Sequence, residues 1–269
     1  YSAGGDFNFY NGAWNTSAGM LVINDRSGAN LNVSKILPSF ALHRKILGFQ
    51  VHAGLQPGIV IKSYDFYKNT YPNQFNWSTG QYENTLPNFE KNVQQNFTIL
   101  DVSAGLGLSR RFGKIEPELS YAWFHLNKPK ESFLQQNNQL PVRQMANVIL
   151  RYYAGKHLIL EGHSMYGYTS DVSNWVSGLN AEIVLQQNPL YRNSFFVGVM
   201  WRNGMDRNPD SGIITAGIRY MKYTLGFSYD ITISELKTSV DAKGAFEVAL
   251  IYKAFNNKLQ KREINCERY

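Results

Sequence analysis

Along most of the chain, apolar and polar side chains alternate one for one. Leu100, Val102, Ala104, Leu106 and Leu108 interleave with Asp101, Ser103, Gly105, Gly107 and Ser109. Leu225, Phe227, Tyr229, Ile231 and Ile233 interleave with Gly226, Ser228, Asp230, Thr232 and Ser234. A β-strand sends successive side chains to opposite faces, so each stretch has one greasy face and one polar or small face. Twelve segments read this way, at about 17–24, 34–43, 48–62, 98–109, 115–126, 142–153, 158–168, 176–186, 195–202, 212–220, 224–233 and 245–255, and residues 5–14 offer another. Most match the roughly 9–11 residues that a tilted strand needs to cross a bilayer. No stretch keeps a 3.6-residue apolar period, so helices are expected to be few.

The connections fall into two sets. NDRSGANLN after the first of the twelve segments, then 63–97, 127–141, 169–175, 203–211 and 234–244, form the long set. The alternate ones are short: 44–47, 111–114, 154–157, 188–194 and 221–223. Long loops outside and tight turns in the periplasm are the habit of outer-membrane barrels. That parity predicts 63–97 extracellular, 111–114 periplasmic and both termini periplasmic. A soluble jelly roll or lipocalin-like barrel would turn its greasy face inward, and there are too many strands here for a small barrel to fill. The expected fold class is therefore all-β, a transmembrane antiparallel β-barrel.

Composition narrows the picture further. The longest apolar run is Phe195–Trp201, far below the ~20 residues of a membrane helix. At 43% hydrophobic content the chain can bury a core, which excludes disorder. Mean hydropathy is nevertheless only −0.33, as expected where greasy and polar residues mix evenly. The net charge of +7 is dispersed except for a basic tail with Lys258, Lys261, Arg262 and Arg268, and no nucleic-acid-binding pattern accompanies it. The single cysteine, Cys266, excludes a disulfide framework within the chain. The chain opens YSAGGDFNFY with no basic start or apolar leader core, so for an exported protein the leader is expected to have been removed or to lie upstream.

Candidate chemistry is sparse. His43, His52, His125, His157 and His163 have no metal-ligand spacing, and no G-x-S-x-G elbow is present. AGLGLSRR (104–111) reads as small residues on a strand, since no helix follows it. Neither an enzyme nor a cofactor is expected. Charges at polar-face positions are more informative: Asp101, Glu118, Arg151, Glu161, Glu182, Arg202, Arg219, Asp230 and Glu247. A cation at the bilayer midplane costs about 2–4 kcal/mol, so these groups are expected to face the lumen or the interfaces. With both signs intermixed, mutual pairing is favoured over a selectivity lining. Asp230 and Glu247, on neighbouring strands, are expected to bond inside the lumen. Asn24, Asp25 and Gly28 are expected to shape a turn. The 63–97 loop carries Tyr64, Phe66, Tyr67, Tyr71, Phe75, Trp77, Tyr82 and Phe89, either as a partner-binding surface or as an inward plug.

Four motifs in order along the chain resemble those of the PorP/SprF family of type IX secretion system outer-membrane proteins. They are Asn24-Asp25-Arg26-Ser27-Gly28 after AGMLVI, then LGFSYDITISEL (225–236) with Ser228, Tyr229, Asp230 and Ser234, then GAFEVALIY (244–252) with Glu247, and the ending Cys266-Glu267-Arg268-Tyr269. Phe246 and Glu267 depart from the family's usual His and Pro. The resemblance implies a barrel of about 14 strands, the first partly upstream of Tyr1, and a part in type IX secretion and gliding. By the same resemblance, partners are a secreted adhesin or other substrate, periplasmic lipoproteins or other secretion components, and outer-membrane lipid. The resulting expectation is a barrel over 1–255 and a periplasmic tail over 256–269, which binds, helps export or anchors a surface protein without catalysis. The alternative is a diffusion porin or a specific small-solute transporter.

Overall fold

The structure is a computed structural model that describes residues 1–11, 14–28, 30–65, 69–87, 95–134, 136–170, 172–187, 191–204, 209–233 and 244–254. The strands are β1 (Ser2–Asn11), β2 (Trp14–Ser27), β3 (Leu31–Ile46), β4 (Phe49–Tyr64), β5 (Phe75–Asn76), β6 (Gln81–Tyr82), β7 (Asn96–Ser109) and β8 (Ile115–Phe124). They continue with β9 (Arg143–Tyr153), β10 (Leu158–Thr169), β11 (Val172–Gln187), β12 (Arg192–Asn203), β13 (Pro209–Tyr220), β14 (Tyr223–Thr232) and β15 (Ala245–Tyr252). Thirteen of them form one sheet, ordered β1-β2-β3-β4-β7-β8-β9-β10-β11-β12-β13-β14-β15. β5 and β6 form a separate small hairpin. The large sheet is antiparallel, for example between β1 and β2 and between β14 and β15. Among the described residues β1 and β15 are the edges of this order, and the ladder is open between them. Among the same residues, no helix is long and apolar enough to cross a membrane.

Tight turns register the hairpins. Between β3 and β4 only Leu47 and Gly48 remain, both at positive φ (50° and 85°), the two-residue turn whose twist matches that of paired strands. Met221 and Lys222 do the same between β13 and β14, with Met221 at φ 52°. Two connections expected to be long are not. The NDRS segment belongs to β2, with Asn24 opposite Ser34 and Arg26 opposite Asn32, so that only Gly28–Asn30 lie between β2 and β3. Asn24 Nδ2 donates to Asn32 Oδ1 at 2.9 Å and to Ser34 Oγ at 2.8 Å, and these cross-strand amide and hydroxyl bonds carry the ladder on. Gly28, at φ 63°, does sit in the turn. Likewise 169–175 shrinks to the two residues between Thr169 and Val172, and Trp175 Nε1 donates to Ser164 Oγ at 2.8 Å across that hairpin. Strand propensity outran the polar composition that reads as loop. The length parity of the connections is therefore only partial.

The chain falls into two units. The first comprises Tyr1–Ile149, Ser164–Trp175 and Gly204–Asp206. Its burial is inverted relative to a water-soluble sheet. On β7, Asp101 and Ser103 are buried, whereas Leu100 is 67% exposed and Leu106 is exposed as well. Met20, Val22, Ile36, Phe40 and Leu55 are exposed on the neighbouring strands. A small apolar cluster of Val33, Val60 and Ile99, with Leu31, Phe97 and Leu140, occupies the opposite face.

The second unit comprises Leu150–His163, Val176–Asn203 and Arg207–Tyr269. The same inversion appears on β12, where Phe195, Val197, Val199 and Trp201 are exposed while Ser194 and Gly198 are buried. The exposed row runs sideways through the register: Val199 pairs with Ile214, Ile214 with Tyr229, and Tyr229 with Phe246. Water would penalise such a surface by ~25 cal/mol per Å² of apolar area. A hydrocarbon solvent removes that penalty, as on the outer face of a membrane barrel.

Candidate functional site

The polar face of the sheet carries paired charges. Arg151 on β9 donates through Nε to Glu161 on β10 at 2.8 Å. Glu182 on β11, 8% exposed, accepts from Arg192 Nε at 2.8 Å, from Arg219 and from Ser194 Oγ at 2.6 Å. The Arg219 guanidinium also lies 5.2 Å from the centroid of the Phe196 ring. Arg202 bridges Asp210 (Nε to Oδ2, 2.7 Å) and Asp230 (Nη1 to Oδ2, 2.9 Å). In the first unit, buried Asp101 faces His125 Nδ1 at 3.0 Å, and Lys62 pairs with Glu131. Glu118 lies opposite Ser109 in the β7–β8 ladder. Burial of an unpaired charge is costly, so each acid placed beside a base removes a penalty while fixing strand register.

Of the residues that the sequence singles out, Arg151 meets Glu161, Glu182 meets Arg219, and Arg202 meets Asp230. Asp230 is ion-paired, with Arg202. Glu247, opposite Ser228 on the exposed edge strand β15, makes no ion pair among the described residues. Tyr229, opposite Phe246, belongs to the apolar face. Asn24 lies on β2 rather than in a turn, and Asp25 accepts from Ser27 Oγ at 3.2 Å. Tyr67, Ser234, Cys266 and Arg268 lie outside the described residues, as does the tail 256–269.

Sequence reasoning passes over two features. The first is a polar chain through Asn8, Ser17, His43 and His52. Ser17 Oγ lies 2.8 Å from His43 Nε2, and the two imidazole Nδ1 atoms are 2.6 Å apart. His43 and His52 pair because they flank the Leu47–Gly48 turn symmetrically, a signal that appears only once that turn is fixed. The second is the folding of 125–142 back onto the sheet. Leu126 N donates to Val102 O at 2.9 Å, and Asn127 Nδ2 donates to Leu100 O at 2.7 Å. The Phe133 ring packs 4.7 Å from Phe97 and 5.9 Å from Tyr64, and Leu140 joins the Val33 cluster.

The loop between β4 and β7 builds an aromatic hairpin. Buried Gln74, at the end of the Pro72–Gln74 turn, accepts from Tyr71 N at 3.1 Å and donates to Leu86 O at 2.9 Å. Phe75 sits edge-on to Trp77 at 4.9 Å and to Tyr82 at 5.1 Å. Asn76 and Thr79 both donate to Glu83. These bonds fix the backbone while Trp77 stays 88% exposed, so a large apolar ring is presented without an ordering cost. Trp77 and Tyr82 are exposed on this hairpin, whereas 125–142 packs back onto the sheet.

Among the described residues no three His, Cys, Asp or Glu side chains group as metal ligands. The family described as type IX secretion system membrane protein PorP/SprF matches residues 1–252. No curated protein matches the chain.

Proposed function

Because the chain belongs to the PorP/SprF family of type IX secretion system membrane proteins, we propose that it binds and anchors a secreted surface protein at the outer membrane. The observation that carries this reading is the aromatic hairpin of residues 71–86, whose Trp77 stands exposed on a braced backbone. Exposed Trp and Tyr on a preorganised support make the commonest binding hot spots, worth about 2 kcal/mol or more each. The hairpin lies on the extracellular side in this reading, the short turns lie in the periplasm, and residues 1–255 form the barrel. The basic tail 256–269 then docks on acidic periplasmic lipoproteins of the machine. The inner-face ion pairs serve the barrel rather than a reaction, since they tie neighbouring strands to one another, as Arg151 with Glu161 and Arg202 with Asp230.

Replacing Trp77 and Tyr82 together with alanine is expected to cut surface retention and co-purification of the secreted partner at least about tenfold. The barrel should keep its heat-modifiable mobility. Unchanged retention and co-purification would overturn the anchoring role, and a large stable single-channel current in planar bilayers would favour a diffusion porin instead.

A further inference from the structure

At one end of β12, β13 and β14, buried oxygen atoms gather without partners. The β12–β13 ladder pairs Arg202 with Ser211, then shifts by a bulge, so that Asn203 comes opposite Pro209. On β14, Thr232 pairs with Ser211 and Asp230 with Ile213, which puts Asp230 diagonally beside Ser211 on the same face. Ser211 is 1% exposed, and its side chain projects to the face on which the Arg202 guanidinium joins Asp210 and Asp230. Two buried side-chain oxygens that have no hydrogen-bond partner among the described residues lie on this face: Ser211 Oγ and Asp230 Oδ1. The carboxylate oxygen can only accept.

Charge points the same way. Arg202 uses Oδ2 of each carboxylate, so among the described residues one guanidinium answers two acids and one negative charge is left over. The Glu182 cluster is the opposite case: one carboxylate faces two arginines, and the Ser194 hydroxyl is already donated. A buried water could satisfy hydrogen bonds in the Arg202 corner, but it would leave the surplus charge. A metal cation supplies both.

We propose that this corner binds a hard divalent cation, Ca²⁺ by its chemistry, through Asp230 Oδ1 and Ser211 Oγ with waters completing the shell. Carboxylate and hydroxyl oxygens with no nitrogen or sulfur donor suit Ca²⁺ or Mg²⁺ and disfavour zinc and copper. The irregular spacing at a bulge suits calcium's flexible coordination better than the strict octahedron of magnesium. Asp210, with its side chain 47% exposed, leaves a path for the ion and for completing waters. A site with so few charged ligands is expected in the weak range, with Kd about 10⁻⁴–10⁻³ M.

The test uses the full chain, folded in detergent and stripped with EDTA. Tb³⁺ luminescence, sensitised by neighbouring Trp201 and Tyr229, should saturate and be displaced by Ca²⁺, but not by NaCl of equal ionic strength. Ca²⁺ should also raise the melting temperature saturably. Ser211→Ala, which removes no charge, should weaken Tb³⁺ binding about tenfold, whereas Glu161→Gln should titrate like the parent. Asp230→Asn should abolish binding; if it fails to fold, the neutral Ser211→Ala variant still decides. Absence of saturable Tb³⁺ emission, or Ser211→Ala titrating like the parent, would overturn the site and leave a buried water in its place.

Discussion

Glu182 stands where three donors converge, and its value follows from what they would become without it. Arg192, Arg219 and Ser194 all spend a hydrogen bond on this one carboxylate. Replacing Glu182 with alanine leaves two guanidinium groups side by side with no acid, and is expected to lower stability by about 1–3 kcal/mol. Urea unfolding in micelles measures it. Adding Arg219→Met should recover part of the loss, because the remaining cation no longer faces a like charge. At this scale the sequence is half legible. Alternation puts Glu182, Arg219, Arg202 and Asp230 on the polar face, but which acid meets which base depends on register. Asp210, Arg192, Lys62 and Glu131 escape notice because loop or strand-end positions carry no alternation to read. Asn24 is misplaced for a related reason: its Asn-Asp-Arg-Ser neighbours have turn composition, yet cross-strand bonds to Asn32 and Ser34 hold them in the ladder.

Among the elements, the segment 125–142 has the most to reveal by mutation. It returns to the sheet through backbone bonds at Leu126, an ion pair from Glu131 to Lys62, and the Phe133 ring against Phe97. Phe133→Ser removes the largest of these apolar contacts, and burying a Phe contributes about 1.5–3 kcal/mol. The variant should therefore expose 126–141 to proteinase K in the intact barrel while the strands resist. Equal cleavage of parent and variant would deny the ring that role. All thirteen long strands lie where alternation indicates, usually a few residues longer. The seating of 125–142 has no periodic signature, because Phe133 and Leu140 are single apolar residues in a polar stretch and only the apolar row of Val33, Val60 and Ile99 that they cover explains them.

For the molecule as a whole, sidedness is the property to test. With Cys266→Ser as background, Ser78→Cys should react with an impermeant maleimide in intact cells and Lys114→Cys should not; the reverse result would invert the topology. Ser78 belongs to the hairpin loop and Lys114 to the turn before β8, and both are exposed. The order of the sheet has a consequence of its own. Each strand of the large sheet lies beside its predecessor in the chain, with only the small β5–β6 hairpin interposed between β4 and β7. Contacts so local spare the chain most of the entropy of closing large loops, and the newest strand always finds its partner in the strand delivered just before it. Growth can therefore follow the order of delivery from either end, with no strand threaded between two others. The same arrangement limits how such a protein can change in size over descent. Excising one strand would leave its neighbours parallel across a connection too short to serve them, whereas excising a hairpin preserves every direction, so strands should be gained and lost in twos.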